Sequence, residues 1–426
     1  MFLFWNRSTT KMQSKNDNRK PNVLFITTDQ QDPKVSGLYG DTCARTPNMD
    51  QLGAQGITFE NAYTPSPLCV PARLSFTSGK YISRVGAWNN QCCLPSENYP
   101  SIATTLQKNG YETFLCGKMH YDYSRRYGFN DLLYMKKGGT NTHIKTGIVE
   151  RYEFSEANMN KWQKPGGSLR KGFKIEDSST KRTYDSVRTE KTVEFLTNRK
   201  KEDKPFFYLL GYVMPHPAFS ISKDLHDHFK GKLPFPHLNK KGIEKLPRNY
   251  QKKRHMSSIG IPTENDAPIN DPEDIVKARE IYWAMIEWID HQLGIVLDAL
   301  KTSEVFEDTI VIFTSDHGEG KGEHGMWGKS TMYDWSARIP LIFSNPTLWK
   351  GGQRRQGVCS LLDVVQTIMD LTNTPAPKDW DGDSLFPYLN DPEYQWKDFA
   401  VSEMYAMPYS GVSMYREGKW KYVYHA

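Results

Sequence analysis

Apolar runs without polar alternation recur along the chain and indicate buried strands. Val23–Thr27, Phe206–Val213 and Thr309–Phe313 are rich in branched or aromatic residues, and each ends abruptly at a polar or proline-containing segment. Strands that are apolar throughout occur in sheets whose two faces are both covered. The pattern therefore predicts an α/β fold with a large, mostly parallel or mixed sheet.

Helical periodicity separates these runs. The clearest helix begins at Asp271-Pro272, and its apolar residues keep roughly helical spacing as far as Leu300. Another begins at Thr46-Pro47, an N-cap followed by a proline at the first helical position. Alternating strands and helices predict a sheet sandwiched between helices, and ligands bind such sheets at the carboxyl ends of the strands.

Three regions depart from this alternation. Residues 1–20 are polar and basic without periodicity, which predicts a disordered leader. Residues 131–270 contain many Lys, Gly and Pro residues, so we expect insertions that lie over the site. Short strand patterns near the end predict a small antiparallel subdomain over 377–426, which leaves 21–376 as the main domain.

Composition narrows the class of protein. The 426 residues are 38% hydrophobic and 24% charged, which is typical of a globular chain. The longest apolar run, Phe206–Met214, is shorter than the roughly 20 residues that a membrane-spanning helix needs. The apolar start of the chain is too short for the core of a signal peptide. We predict no membrane span, and the compartment stays open.

Cysteine spacing and charge exclude further classes. The six cysteines lack CxxC spacing, which argues against zinc ribbons, thioredoxin chemistry and a disulfide scaffold. The net charge is +6, with basic clusters such as Lys252-Lys253-Arg254. This charge favours a solvated surface, with attraction of an anionic substrate or a polyanion as the alternative. We predict no nucleic-acid partner.

Groups that bind metals, anions or protons follow four predicted strands, the three above and a further one over Tyr111–Leu115 that leads into Gly117. They are Asp29-Gln30, Gly117-Lys118-Met119-His120, Pro215-His216-Pro217 and Asp316-His317-Gly318. Each alone has a structural explanation, because Asp caps helices and His can satisfy a buried hydrogen bond. Since the carboxyl ends of parallel strands share one edge of a sheet, we expect these side chains to meet.

The stretch Cys69-Val70-Pro71-Ala72-Arg73 adds the decisive motif. By itself it fits a small buried cysteine in a proline-fixed turn with Arg73 on the surface. It also resembles the Cys-x-Pro-x-Arg signature of the type I sulfatases, which belong to the alkaline phosphatase-like superfamily. The resemblance runs from about Pro21 to the end of the chain and includes Thr77-Ser78-Gly79-Lys80-Tyr81 and Gly328-Lys329 in the right order.

This resemblance implies a sulfuric ester hydrolase whose Cys69 is oxidised to formylglycine by a maturation enzyme. The hydrated aldehyde has two hydroxyls on one carbon, so that one can attack sulfur and the other can resolve the sulfated intermediate. The implied metal ligands are Asp29, Gln30, Asp316 and His317, together with modified Cys69. Oxygen ligands suit a hard cation, so we expect Ca²⁺, with Mg²⁺ as the alternative.

The resemblance also implies catalytic roles for five other residues. Lys118 and Lys329 would bind the sulfate group, and Arg73 would hold the hydrated aldehyde and the carboxylates. His120 would assist the breakdown of the intermediate. His216 would bind substrate and protonate the leaving oxygen, a role for which Lys329 is the alternative.

Three positions depart from the family pattern. Gln30 stands where many members have Asp, and His317 stands where many have Asn. Both keep a ligand atom, and together they lower the negative charge of the site and admit a nitrogen donor, which leaves the identity of the metal less defined. Ala72 replaces a frequent Ser, and this bears on which maturation system accepts the chain.

Three rival functions stay open. Gly320–Gly325 formally matches the dinucleotide motif GxGxxG, but it begins several residues after Phe313, and Glu319 and Glu323 would repel a pyrophosphate. A phosphonate monoester hydrolase or phosphodiesterase of the same superfamily can use the same modified cysteine. An unmodified chain could bind sulfated glycans without cleaving them.

The loops give the only indication of substrate. Gly86–Asn90 and Gly117–Tyr121, with Tyr127-Gly128-Phe129, resemble the choline-sulfatase and iduronate-sulfatase branches. We therefore expect a sulfated carbohydrate such as a glycosaminoglycan fragment, with choline sulfate as the alternative. The C-terminal part is short for the family, which truncation or a sheet edge completed by a partner subunit would explain, so the oligomeric state stays open.

Overall fold

The structure is a computed structural model, and it describes residues 19–122, 124–133, 174–176, 183–217, 219–236, 245–247, 250, 272–405 and 411–426. Nearly all of the predicted leader lies outside these described residues. So does most of the insertion predicted over 131–270. The description below concerns the described residues alone.

The strands and helices alternate over most of the described chain. The strands are β1 (Asn22–Thr28), β2 (Gly56–Tyr63), β3 (Glu112–Gly117), β4 (Asn130–Asp131), β5 (Lys174–Glu176), β6 (Phe206–Gly211), β7 (Ser220–Ser222), β8 (Thr309–Ser315), β9 (Arg338–Ile339), β10 (Leu341–Ser344), β11 (Gln353–Ser360), β12 (Phe399–Tyr405), β13 (Gly411–Glu417) and β14 (Trp420–His425). The helices are α1 (Pro47–Ala54), α2 (Cys69–Ser78), α3 (Ile82–Val85), α4 (Ile102–Lys108), α5 (Tyr184–Asn198), α6 (Lys223–Asp227), α7 (Pro272–Lys301), α8 (Asp334–Ala337), α9 (Leu361–Leu371) and α10 (Phe386–Asn390).

One large sheet forms the centre of the fold. Its strands lie in the order β11-β2-β10-β8-β1-β6-β3-β4, and β9 pairs with β2. The run β8-β1-β6-β3-β4 is parallel throughout, whereas β10 is antiparallel to both of its neighbours. The predicted α/β architecture with a mostly parallel, mixed sheet is confirmed.

Strand β1 shows why the sheet must be covered on both faces. All seven of its residues are buried. Because side chains alternate between the faces of a strand, Val23 and Phe25 enter one hydrophobic cluster, and Leu24 and Ile26 enter the other. The run of β1 is apolar without interruption because both faces of the strand are buried in the core.

Helix α7 covers one of these faces. Its residues Ile289, Leu293 and Val296 pack into the same cluster as Leu24 and Ile26. Glu273, His291 and Asp298 of the same helix are exposed. Among the described residues, no helix is both long and apolar enough to cross a bilayer.

The N-terminus of α1 is capped by a residue from another helix. Thr46 occupies the predicted N-cap position but makes no capping bond with its side chain. Instead, Asp290 of α7 accepts hydrogen bonds from the amides of Asn48 and Met49 at 3.0 and 2.8 Å. The carboxylate thus satisfies two of the free N–H groups of the first turn and ties α1 to α7.

The assignment of 131–270 to insertions is wrong for helix α5 within it. This helix has a capping box at Thr183 and lies against α7 and strand β3. Its residue Leu196 belongs to the same core cluster as β1. The segment from Thr183 to Asn198 is therefore part of the sandwich.

The predicted small antiparallel sheet near the C-terminus is confirmed as β12-β13-β14. Its residues Met404 and Met414 share a cluster with Tyr63 of the large sheet. Leu385, from the segment that precedes it, belongs to the main core. The core is continuous across residue 376. The domain boundary at that residue stays a prediction.

Candidate active site

Strand order brings the predicted polar groups to one edge of the sheet. Strands β8, β1, β6 and β3 are parallel neighbours, so that their carboxyl ends lie side by side. Asp316 follows β8, Asp29 follows β1, and Lys118 follows β3. Lys118 forms an ion pair with Asp29, which joins two of these strand ends.

Four of the predicted site residues form a compact group of potential metal ligands. One ligand atom from each of Asp29, Cys69, Asp316 and His317 lies within 4.8 Å of the others. The Cys69 Sγ atom is 3.2 Å from His317 Nε2 and 3.7 Å from Asp29 Oδ1. All four residues are buried. Buried carboxylates, an imidazole and a sulfur or oxygen donor in one cluster fit a divalent cation.

Arg73 fixes the carboxylates of Asp29 and Asp316 relative to each other. Its Nε donates to Asp316 Oδ2 at 2.9 Å, and its Nη2 donates to Asp29 Oδ2 at 3.0 Å. Arg73 is 2% exposed. The alternative interpretation of the motif, a proline-fixed turn with Arg73 on the surface, is therefore wrong. Burial tends to lower the pKa of this guanidinium, but Asp316 and Asp29 outweigh burial and raise it.

Helix α2 places Cys69 at its first residue. The whole helix is buried, and Pro71 lies in its first turn, where a missing N–H costs nothing. The next amide, of Val70, donates to Asn90 Oδ1 at 3.1 Å. Residue 69 therefore lies at the positive end of a helix dipole, a position that favours negative charge.

Two lysines add to this positive field. Lys329 Nζ lies 2.8 Å from Cys69 Sγ and 2.6 Å from Gln30 Oε1. Burial alone would raise the pKa of the Cys69 thiol, but Lys329, His317 and Lys118 lower it well below its usual value. The surroundings of residue 69 thus stabilise an anion at that atom.

The two histidines with predicted catalytic roles, His120 and His216, lie beside residue 69. His120 adopts a left-handed backbone conformation with φ of 55°, and its Nδ1 is buried without a hydrogen-bond partner among the described residues. His216 pairs through Nδ1 with the carbonyl of Pro217. Burial, Lys329 and Lys118 together lower the pKa of His216. The structure thus brings all ten predicted site residues together.

Gln30 is held in a strained conformation by its neighbours. Its φ is 75°, which is unusual for a residue with a side chain. Its amide donates to Asp316 Oδ1 at 3.1 Å, and its carbonyl accepts a 2.7 Å hydrogen bond from the Tyr282 hydroxyl. Strain of this kind persists only where several contacts over-determine it, as they do here.

Sequence reasoning missed several residues that support the site. Glu319 bonds the Gln30 side chain, Tyr282 fixes the Gln30 backbone, and Asn90 bonds the start of α2. Glu319 had a signal, because it lies three residues after Asp316 at a strand end. Tyr282 had none, since an aromatic residue in a helix normally indicates packing.

The GxGxxG match does not form a dinucleotide fold motif. Gly320–Gly325 forms a turn with a short 3₁₀ segment, and no α-helix begins there. The fingerprint needs a tight turn from a strand directly into a helix, whose N-terminus receives the pyrophosphate. The oxidoreductase alternative is therefore wrong.

Comparison with known proteins agrees with this geometry. The Sulfatase family model matches residues 21–374. The chain is 30% identical over 432 residues to a choline-sulfatase of Rhizobium meliloti (strain 1021), covering 96% of this chain and 78% of that one. It is 28% identical over 402 residues to the iduronate 2-sulfatase of Mus musculus, covering 88% and 64%.

A solved structure shows the same fold. The phosphonate monoester hydrolase of Agrobacterium radiobacter superposes with a TM-score of 0.76 at 22% identity, over 95% of this chain and 87% of that one. Because the family model spans most of the chain and sulfatases match nearly all of it, the assignment rests on the whole fold as well as on the motif. The chain belongs to the sulfatase family and is a sulfuric ester hydrolase.

Proposed function

We propose that the protein hydrolyses a sulfate ester with a formylglycine made from Cys69, aided by a bound divalent cation. The observation that carries this proposal is the geometry around residue 69, whose Sγ lies within 4.8 Å of ligand atoms of Asp29, Asp316 and His317 and 2.8 Å from Lys329 Nζ. A group that stabilises an anion at this atom also stabilises an oxygen nucleophile there and the charge that develops during attack.

Five residues would hold the cation: Asp29, Gln30, residue 69, Asp316 and His317. When bound, the cation supplies a local positive charge that lowers the pKa of a coordinated hydroxyl. The donor set is rich in oxygen, so we propose Ca²⁺ and keep Mg²⁺ as the alternative. A hydrated aldehyde at position 69 provides the hydroxyls.

The other residues bind and orient the substrate. Lys118 pairs with Asp29 and Lys329 lies beside residue 69, where both would supply fixed positive charge for the sulfate oxygens. Arg73 keeps Asp29 and Asp316 in place through its planar fork, which a lysine could not reproduce.

Proton transfer is assigned to the histidines. The His120 side chain bonds residue 69 and would assist breakdown of the covalent intermediate, and its Nδ1 has no hydrogen-bond partner among the described residues. His216 would protonate the leaving oxygen. Lys329 is the alternative, because both side chains lie beside the Sγ atom of Cys69.

We propose a sulfated carbohydrate, such as a glycosaminoglycan fragment, as the substrate. Similarity to an iduronate 2-sulfatase supports this proposal. Similarity to a choline-sulfatase supports choline sulfate as the second candidate. Release of inorganic sulfate from defined sulfated saccharides and from choline sulfate separates the two, and turnover of choline sulfate alone would exclude the carbohydrate.

The experiment that tests the mechanism combines peptide mass spectrometry with matched substrates. We expect the peptide that contains Cys69 to carry an aldehyde, and an aryl sulfate to be turned over faster than the matching aryl phosphonate. Cys69→Ala should lower kcat/KM by about 10³-fold or more, since the nucleophile is removed. A free thiol in active protein would exclude formylglycine, and a preference for phosphonate would exclude the sulfatase reaction. Binding of sulfated glycans without turnover would indicate the non-enzymatic alternative.

A further inference from the structure

Gln30 lies between two groups of opposite charge. Its Oε1 accepts a hydrogen bond from Lys329 Nζ at 2.6 Å, and its Nε2 donates to Glu319 Oε2. Gln30 is 1% exposed and Glu319 is fully buried, so that water does not compete for these bonds. The two partners therefore decide which way the amide faces.

The chemistry of the partners permits one orientation. A lysine ammonium can only donate hydrogen bonds, so the amide oxygen must face Lys329. A carboxylate can only accept, so the NH₂ group must face Glu319. Lys329 Nζ is also 2.8 Å from Cys69 Sγ and 3.9 Å from Asp29 Oδ1, which places the amide oxygen on the side of the ligand cluster.

Glu319 is itself held so that it cannot rotate freely. Its Oε1 accepts from the backbone amides of Lys321 and Gly328, which leaves Oε2 for Gln30. The ammonium of Lys321 bonds Asp32 and the carbonyl of Glu319, which fixes the same turn. A buried carboxylate with three donors around it gives a rigid reference for the Gln30 amide.

We propose that Glu319 is a positioning residue that turns the oxygen of Gln30 toward the cation. This inference rests on the cation site of the proposed function and adds a residue to it. It also explains how a neutral Gln30 can stand where relatives of the resembled family have an Asp. The negative charge that an Asp would carry at position 30 is carried by Glu319 instead, which lies one hydrogen bond farther from the ligand cluster.

Glu319→Gln tests the proposal, because it reverses the polarity of the pair. The backbone amides of Lys321 and Gly328 still require an oxygen, so the new NH₂ group would face Gln30. The Gln30 amide must then turn and present its own NH₂ group to the cluster. We expect Ca²⁺ affinity to fall about 10- to 100-fold, as for other partners of metal ligands.

A second substitution should restore what the first removes. In Gln30→Glu/Glu319→Gln, the carboxylate at position 30 accepts from both sides, so its second oxygen faces the cluster again. We expect its Ca²⁺ affinity to return to within a few-fold of the unmutated chain. Glu323→Gln is the matched control, because Glu323 lies in the same turn but bonds Arg279; its affinity should not change.

The measurement is a calorimetric titration of CaCl₂, and separately of MgCl₂, into the metal-stripped full chain. Melting temperatures in EDTA establish that each variant is folded. Gln30→Met, which keeps the side-chain volume but removes the oxygen, should lose affinity as Glu319→Gln does and serves as the test if Glu319→Gln does not fold.

Three results would overturn the inference while leaving the cation site intact. They are unchanged affinity in Glu319→Gln, unchanged affinity in Gln30→Met, and failure of the double variant to recover. If the unmutated chain binds neither Ca²⁺ nor Mg²⁺, the proposed cation site fails, and the role of Glu319 fails with it.

Discussion

His216 and Lys329 contact the same buried region but differ in what they can do for a leaving group. Burial, Lys329 and Lys118 lower the pKa of His216, whereas the pKa of Lys329 is raised, because the anionic groups around it outweigh its burial. A proton donor matters most when the departing alkoxide is strongly basic. Binding of the sulfate group, in contrast, matters equally for every ester.

This difference gives a prediction for two substitutions. His216→Ala should lower kcat/KM by about 10²- to 10⁴-fold on an alkyl sulfate and much less on a nitrophenyl sulfate, because nitrophenolate leaves without a proton. Lys329→Ala should lower kcat/KM by a similar factor on both esters. Steady-state kinetics on the two substrates checks this, and an equal loss on both esters in His216→Ala would assign the proton to another group.

At the scale of the residue, the sequence predicted positions better than contacts. Asp29, Lys118 and Asp316 could be located because each follows an apolar strand. The burial of Arg73 and the bond between Glu319 and Gln30 could not, because both depend on pairing between segments more than 200 residues apart in sequence; only the place of Glu319 near a strand end was visible. No local pattern records such a pair.

The contact between α1 and α7 shows how one side chain can stabilise a whole element. Asp290 accepts hydrogen bonds from two backbone amides in the first turn of α1. Its side chain is buried, with 1% of its surface exposed. Burial raises the pKa of Asp290 to about 6, although the amides of Asn48 and Met49 act in the opposite direction. The folded chain therefore binds a proton here more tightly than the unfolded chain does.

The contact between α1 and α7 makes the free energy of unfolding depend on pH. Stability from the Asp290 proton is fully present below about pH 4 and is lost as the pH rises through about 6. Between pH 7 and pH 5 the unmutated chain should gain about 1 kcal/mol relative to Asp290→Asn, which does not titrate there. Urea unfolding of both proteins at the two pH values measures this. A constant difference between them would show that Asp290 has an ordinary pKa.

At the scale of the element, prediction failed where the buried face is polar. Helix α5 was missed because residues that it buries include Asp185, Arg188, Thr189 and Thr192. Hydrophobic periodicity cannot mark such a face. Strand β1 was found because all of its residues are buried and most are apolar. The antiparallel direction of β10 could not be predicted, since strand direction depends on pairing.

The whole molecule has a core that continues across the predicted domain boundary. Trp380 and Leu385 belong to the same cluster as Phe25, and Met414 shares a cluster with Tyr63. Arg355 of β11 also donates hydrogen bonds to the carbonyls of Tyr388 and Leu389. Residues after 376 therefore complete the core of residues before it.

This continuity predicts one cooperative unfolding transition. Met414→Ala, at a site that is 1% exposed, should cost about 2–5 kcal/mol and should lower the melting temperature of the entire chain. Scanning calorimetry and near-ultraviolet circular dichroism should show the same midpoint. A separate early transition in the variant would mean that residues 377–426 unfold as an independent unit.

The complete burial of Cys69 bears on the proposed conversion of this residue to formylglycine. The residue is 0% exposed and lies inside a helix whose ten residues are all buried. An enzyme that oxidises this thiol needs access to it, and the folded chain offers no access. On the proposed mechanism, oxidation of Cys69 would precede folding, and the time that a newly made chain stays open would limit how much of the protein becomes active.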